Sequence, residues 1–223
     1  MFSRLQNWFG NGWQGIASLL ITAFCVCLSL SVHEVAHGWA AHLLGDDTAK
    51  NSGRLSLNPR QHLDPIGALC LFLFGFGWAN PVPVNPRNFD KVKMKTGMVI
   101  TSLAGPLANL VVAFVSMLLT QILFKNGINS VPMLVIYILL SALTTLNISL
   151  AVFNFIPIPP LDGYKVLSAV LPPRYYFKLM QYERYGFIAL LLIIYLPIFN
   201  SLLSSAVYGI MRFFGFILNF LPF

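Results

Sequence analysis

The residues with the most chemistry in this chain are His33-Glu34-Val35-Ala36-His37. On an α-helix, positions i and i+4 lie one above the other on one face, so both imidazoles reach a single metal ion. Glu34 is turned by about 100° from His33, close enough to address a metal-bound water without being a ligand. This is the H-E-x-x-H arrangement, in which zinc and a carboxylate hydrolyse a peptide bond. The chain holds four His and two Glu in all, and three of those six meet here. That coincidence weighs against the competing explanation, in which the three groups merely satisfy one another inside a packed helix.

Two His leave such a site incomplete, because catalytic zinc takes about three protein ligands plus water. Asp162 is the best third ligand, in Asn154-Phe-Ile-Pro-Ile-Pro-Pro-Leu-Asp-Gly163. Prolines unwind the backbone there, so a carboxylate can turn inward. The alternative is a Pro-rich helix end with an exposed Asp. Zn²⁺ with neutral His33 and His37 and ionised Asp162 and Glu34 sums to zero charge, which makes the cluster far cheaper in a low dielectric than any member alone.

The elements that position these groups must sit in lipid. Of 223 residues, 57% are hydrophobic and only 9% charged, against roughly 25% charged in an ordinary soluble domain; mean hydropathy is +0.74. A soluble fold of this size cannot hide that much apolar surface, and disordered chains lack it. The length predicts one integral-membrane domain over 1–223, with a catalytic core over about 16–165 and C-terminal helices over about 186–223. A net charge of +7 does not indicate nucleic acid, since the basic residues sit in short connectors between apolar blocks. Cys25, Cys27 and Cys70 lie inside apolar blocks and are expected to be small buried hydrophobes. The first apolar run continues well past a signal-peptide core, so no cleavable leader is expected.

A span needs about 20 mainly apolar residues. Ile16–Leu44, Gly97–Phe124 and Pro132–Phe155 qualify, and Gly186–Phe223 forms one long span or a hairpin. Ile66–Ala79 is short and glycine-containing, which suits a re-entrant segment. Asn80-Pro-Val-Pro-Val-Asn-Pro-Arg87 must be extended or turning. The expected fold class is all-α: a polytopic membrane protein with a three-helix catalytic core, a re-entrant or strand-like segment, and one or two further C-terminal helices.

If Ile66–Ala79 dips in and returns, the connectors 45–65, 80–96 and 157–185 share one face. They hold eleven of the 14 basic residues, against Arg4 and Lys125 on the other face and Arg212 inside the last stretch. Positive-inside bias makes the rich face cytoplasmic. His37 lies roughly 10 Å along the helix from Leu44, and Asp162 just past the inner end of the third span. Charge and motif, considered separately, put both halves of the site on the cytoplasmic side.

His33-Glu-Val-Ala-His37, Gly53-Arg-Leu-Ser-Leu-Asn-Pro-Arg-Gln-His-Leu-Asp-Pro-Ile-Gly67, Ala104-Gly-Pro-Leu-Ala-Asn109 and Asn154 to Gly163 together resemble the site-2 protease family of intramembrane zinc metalloproteases, over roughly Ser31–Lys165. The resemblance implies a three-helix core, one Zn²⁺ per chain held by His33, His37 and Asp162, and Glu34 as general base. It implies substrates that are transmembrane segments of other proteins or remnant signal peptides, in a bacterial plasma membrane. The chain looks like the short bacterial branch, without an extra N-terminal helix and without a PDZ or CBS module. Asn154 matches the family's Asn, which either steadies substrate or the developing oxyanion, or holds the unwound proline segment.

Leu55–Asn58 and Val82–Asn85 are candidate strand-like edges for unwound substrate, with plain loops as the alternative. His42 is five positions from His37, off the ligand face, and His62 lies in a loop. Ala104-Gly-Pro and Asn109 indicate small-residue helix packing with one buried hydrogen-bonding Asn. The rival class is a non-proteolytic membrane metal-binding protein or metal transporter. It has no use for a Glu beside the ligands, and the paired broken helices of repeated halves are not visible. An H-E-x-x-H prenyl-protein protease fits the Leu-Asp-Gly segment poorly.

Overall fold

The computed structural model describes residues 12–67, 70, 79–125 and 127–220. Its helices are α1 (Trp13–Leu43), the one-turn α2 (Thr48–Asn51) and α3 (Pro59–His62), then α4 (Met94–Leu123), α5 (Val131–Asn154), α6 (Asp162–Val170), α7 (Pro173–Ile194) and α8 (Pro197–Leu218). Four of these, α1, α4, α5 and α8, are long and apolar enough to cross a membrane. The 31 residues of α1 reach about 46 Å, against roughly 30 Å of hydrocarbon. It therefore crosses at a tilt or with one end beyond the apolar layer.

In lipid there is no hydrophobic drive to bring helices together, so close packing of small residues and buried hydrogen bonds must do it. The sequence of α4 supplies both: Gly97, Thr101, Ser102, Gly105, Asn109, Ala113 and Ser116 form its buried stripe, and α1, α5 and α6 pack around it. Leu20, Phe24, Val111, Val115 and Ile122 stay exposed on the outside, as lipid-facing residues should. Farther along, Ala113, Ile148 and Phe214 form an apolar cluster that ties α8 to α4 and α5, with Phe114 edge-on to Phe214 at 5.2 Å.

Two expectations change, and one open alternative closes. The connector expected to run to Tyr185 is already helical from Pro173, because Pro at the first turn of a helix costs nothing and pre-sets φ; α7 then runs to Ile194. The last stretch is therefore two helices, broken at Tyr195–Leu196 ahead of Pro197, and the second of them is the apolar span. His62 is not a loop residue: it closes α3, is fully buried, and donates from Nε2 to the Ser56 carbonyl at 2.6 Å.

Most of the proposed re-entrant segment, 68–69 and 71–78, lies outside the described residues. Among the described residues there is no strand, only one antiparallel bridge, Leu63 to Ala79. Val82–Asn85 has no ladder partner among the described residues, and Pro81, Pro83 and Pro86 remove donors there. Of the three cysteines, Cys25 is buried and Cys27 and Cys70 half-buried, all free.

Candidate metal centre

The site forms where α1, α4 and α6 meet. The His33 Nε2, His37 Nε2 and Asp162 Oδ2 atoms form a near-equilateral triangle with sides of 3.0, 3.0 and 3.1 Å, and all three residues are buried. The helix repeat alone explains the two His. The placing of Asp162 needs the proline segment: α5 ends at Asn154, and Ile156–Leu161 turns through two short backbone bonds, Ile158 N–H to Ile156 O and Leu161 N–H to Ile158 O. Gly163 makes the return possible, because a Cβ there would lie 2.3 Å from the Phe155 carbonyl oxygen. Asp162 thereby becomes the first residue of α6, facing α1.

The outer nitrogens of the two imidazoles fix their tautomers. His37 Nδ1 donates to the Thr101 carbonyl at 2.7 Å, an acceptor only. For His33 a chain of fully buried amides decides. Asn147 Nδ2 donates to the Leu143 carbonyl and to Ser29 Oγ, both at 2.8 Å. Its Oδ1 must then accept from Asn109 Nδ2, at 2.7 Å. That turns Asn109 Oδ1 toward His33, which donates from Nδ1 at 2.6 Å. Each neutral ring is left with a lone pair on Nε2, and both lone pairs converge on a carboxylate oxygen.

Three acceptors facing one another in a buried pocket repel unless a cation sits among them. Two imidazole nitrogens and one carboxylate oxygen are the donor chemistry of catalytic zinc, and hydrogen-bonded outer nitrogens are the usual support for metal-binding His. The donor set fits zinc. Among the described residues this is the one group of three that can hold a metal.

Glu34 is not part of the triangle. It lines an adjoining cavity of about 280 Å³ together with His37, Val82, Thr101 and Lys165, and its Oε2 accepts from the Val82 N–H at 2.8 Å. The segment carrying Val82 is itself held by the buried Asp46 just past α1. Asp46 accepts from Asn85 N–H at 2.6 Å and Asn88 Nδ2 at 2.8 Å, and from the Thr48 hydroxyl and N–H. Burial alone would push the Asp46 carboxyl up. The bonds from Thr48, Asn85 and Asn88 outweigh it and hold the group below the usual carboxylate range. Arg54 adds a third tie, from Nη2 to the Asn80 carbonyl at 2.8 Å.

His33, Glu34, His37 and Asp162 thus come together. Asn154 does not join them: its Nδ2 donates to Leu150 O, one turn back in α5, at 3.0 Å. His42 pairs with Asp47 instead. Sequence reasoning missed Asn147, although an Asn in the middle of an apolar span is a signal. It also missed the Thr101 carbonyl and the Val82 N–H, which as backbone groups give none.

The chain has relatives among known proteins. The zinc metalloprotease candidate YwhC of Bacillus subtilis is 40% identical over 182 residues, covering 77% of this chain and 78% of that protein. Rip2 of Mycolicibacterium smegmatis, also named as a candidate zinc metalloprotease, is 29% identical over 206 residues, covering 90% and 76%. No solved structure matches the chain. The family model described as peptidase family M50 matches residues 21–196, from within the first span to just past the end of α7, and the chain belongs to that family, the site-2 proteases.

Proposed function

We propose that the chain is an intramembrane zinc endopeptidase in which His33, His37 and Asp162 hold the metal and Glu34 is the general base. The observation that carries this is the convergence of two Nε2 lone pairs and one carboxylate oxygen within about 3 Å of one another, beside a cavity that Glu34 also lines. Zinc bound there polarises the scissile carbonyl and acidifies a water.

With the metal held there, Glu34 would take a proton from a water as the water oxygen adds to the scissile carbonyl carbon, then return that proton to the leaving nitrogen as the C–N bond breaks. The Val82 N–H holds one Glu34 oxygen, so the other is left for the water. Catalysis here depends on such prior positioning rather than on movement during the reaction.

The substrates are transmembrane segments or remnant signal peptides, which must unwind to expose a peptide bond. In this account Val82–Asn85 holds the unwound substrate by backbone pairing, although two of its three N–H groups, Val82 and Asn85, are already engaged. Pairing therefore runs through Val84 and the carbonyls. For Asn154, the last residue of α5, the proposal keeps substrate positioning through the part of its amide that does not bond Leu150 O. The single domain over 1–223 sits multi-pass in a bacterial plasma membrane. Its site faces the cytoplasm in this reading: with 66–79 dipping in and returning, the stretches 45–65, 80–96 and 157–185 share that side and carry eleven of the 14 basic residues.

Proteoliposomes holding the purified chain and a single-span model substrate test this. Cleavage within or beside the span is expected, abolished by a zinc chelator and restored by zinc. Cleavage indifferent to the chelator would remove zinc from the account.

A further inference from the structure

Asp162 spends its two oxygens differently. Oδ2 faces both imidazoles, while Oδ1 accepts from Lys165 Nζ at 2.8 Å. Lys165 stands one turn along α6, at the i+3 position where side chains on a helix meet. Its side chain is 49% exposed while that of Asp162 is 5% exposed, so a long wet stem brings one charged head down to a buried carboxylate. Lys165 also lines the cavity with Glu34 and His37.

We infer that Lys165 is a positioning residue that confines Asp162 to a single donor oxygen, so that the site offers the metal three donors and keeps the fourth place for water and substrate. A carboxylate at a metal binds through one oxygen or both, and nothing in Asp162 itself chooses. A charge-assisted hydrogen bond is short and about twice as strong as a neutral one, so an ammonium on Oδ1 competes with chelation through that oxygen. With both oxygens on the metal, water would enter as a fifth ligand of a crowded site instead of the fourth ligand of an open one. The inference rests on the metal site proposed above and adds a residue to it.

Cobalt(II) in place of zinc reports coordination number by its visible bands, which are intense for four ligands and weak for five. The test titrates cobalt into the metal-free full chain in nanodiscs, for wild type, Lys165→Met, Lys165→Gln and Lys165→Arg. Wild type and K165R are expected to show the intense bands. K165M is expected to shift to the weak five-ligand spectrum and, reloaded with zinc, to lose at least about tenfold in cleavage. An unchanged K165M spectrum with wild-type binding would overturn the role of Lys165 alone. A wild-type chain that binds no cobalt would overturn the metal site itself. If K165M and K165Q both lose the thermal transition of the metal-free chain, Lys165 acts in folding and the inference fails.

Discussion

Replacing Glu34 by Gln is expected to leave zinc bound and cleavage lowered by about 10²–10⁴-fold, the usual contribution of a positioned general base. The separation of the two effects is geometric. Glu34 lies outside the triangle of donor atoms, which belong to His33, His37 and Asp162. Gln is nearly isosteric, and its carbonyl oxygen still accepts the Val82 N–H that now meets Glu34 Oε2 at 2.8 Å. What the amide lacks is a site that takes a proton near neutral pH. Initial rates on a single-span substrate, paired with metal analysis of the same preparation, check this. Full activity in a zinc-loaded E34Q chain would sink the general-base role, whereas loss of zinc would mean that Glu34 helps to build the metal site.

Gly105→Ala is expected to empty the metal centre, with zinc affinity falling about 100-fold, at the upper end of what disturbing ligand support costs. By helix propensity alone the same change should stabilise α4 by about 1 kcal/mol. Packing decides the sign. A Cβ on Gly105 would lie 2.5 Å from His37 Nε2, 2.6 Å from His37 Cε1 and 2.7 Å from His33 Cε1. Neither ring has room to yield, since the opposite nitrogens are bonded to Thr101 O and Asn109 Oδ1. Gly215→Ala in α8 is the matched control, because the added methyl meets Met117 Cε at an ordinary 3.5 Å. G215A should bind zinc as wild type does. Zinc bound equally well by G105A would show that α4 does not press on the ligands as described.

The spans were legible in the sequence because a bilayer sets their length: each of the first three starts and ends within about three residues of its apolar run. His33, Glu34 and His37 were legible because the helix repeat fixes their relation before any tertiary contact forms. Asp162 could be reached by counting what zinc still needs. The rest depends on which helices touch. Gly105 belongs to a small-residue stripe, but only the approach of α1 reveals that it faces the imidazoles. Asn109 was recognisable as a buried hydrogen-bonding group, while its partner 76 positions away was not. Asp46 follows the last turn of α1 as one polar residue in a turn, and its hold on Asn85 and Asn88 needs the folded connector. The helix from Pro173 was open to inference from the pair of prolines, which mark a start as readily as a break.

The most direct test of the whole account is zinc per purified chain, wild type beside Asp162→Ala, in preparations that melt alike. About one zinc in wild type, lost or much weakened in the variant, is the predicted result, because Asp162 supplies the one negative donor of the three. Equal zinc in both would put the third ligand elsewhere and contradict the site as built here. No zinc in either folded chain would contradict the zinc protease itself.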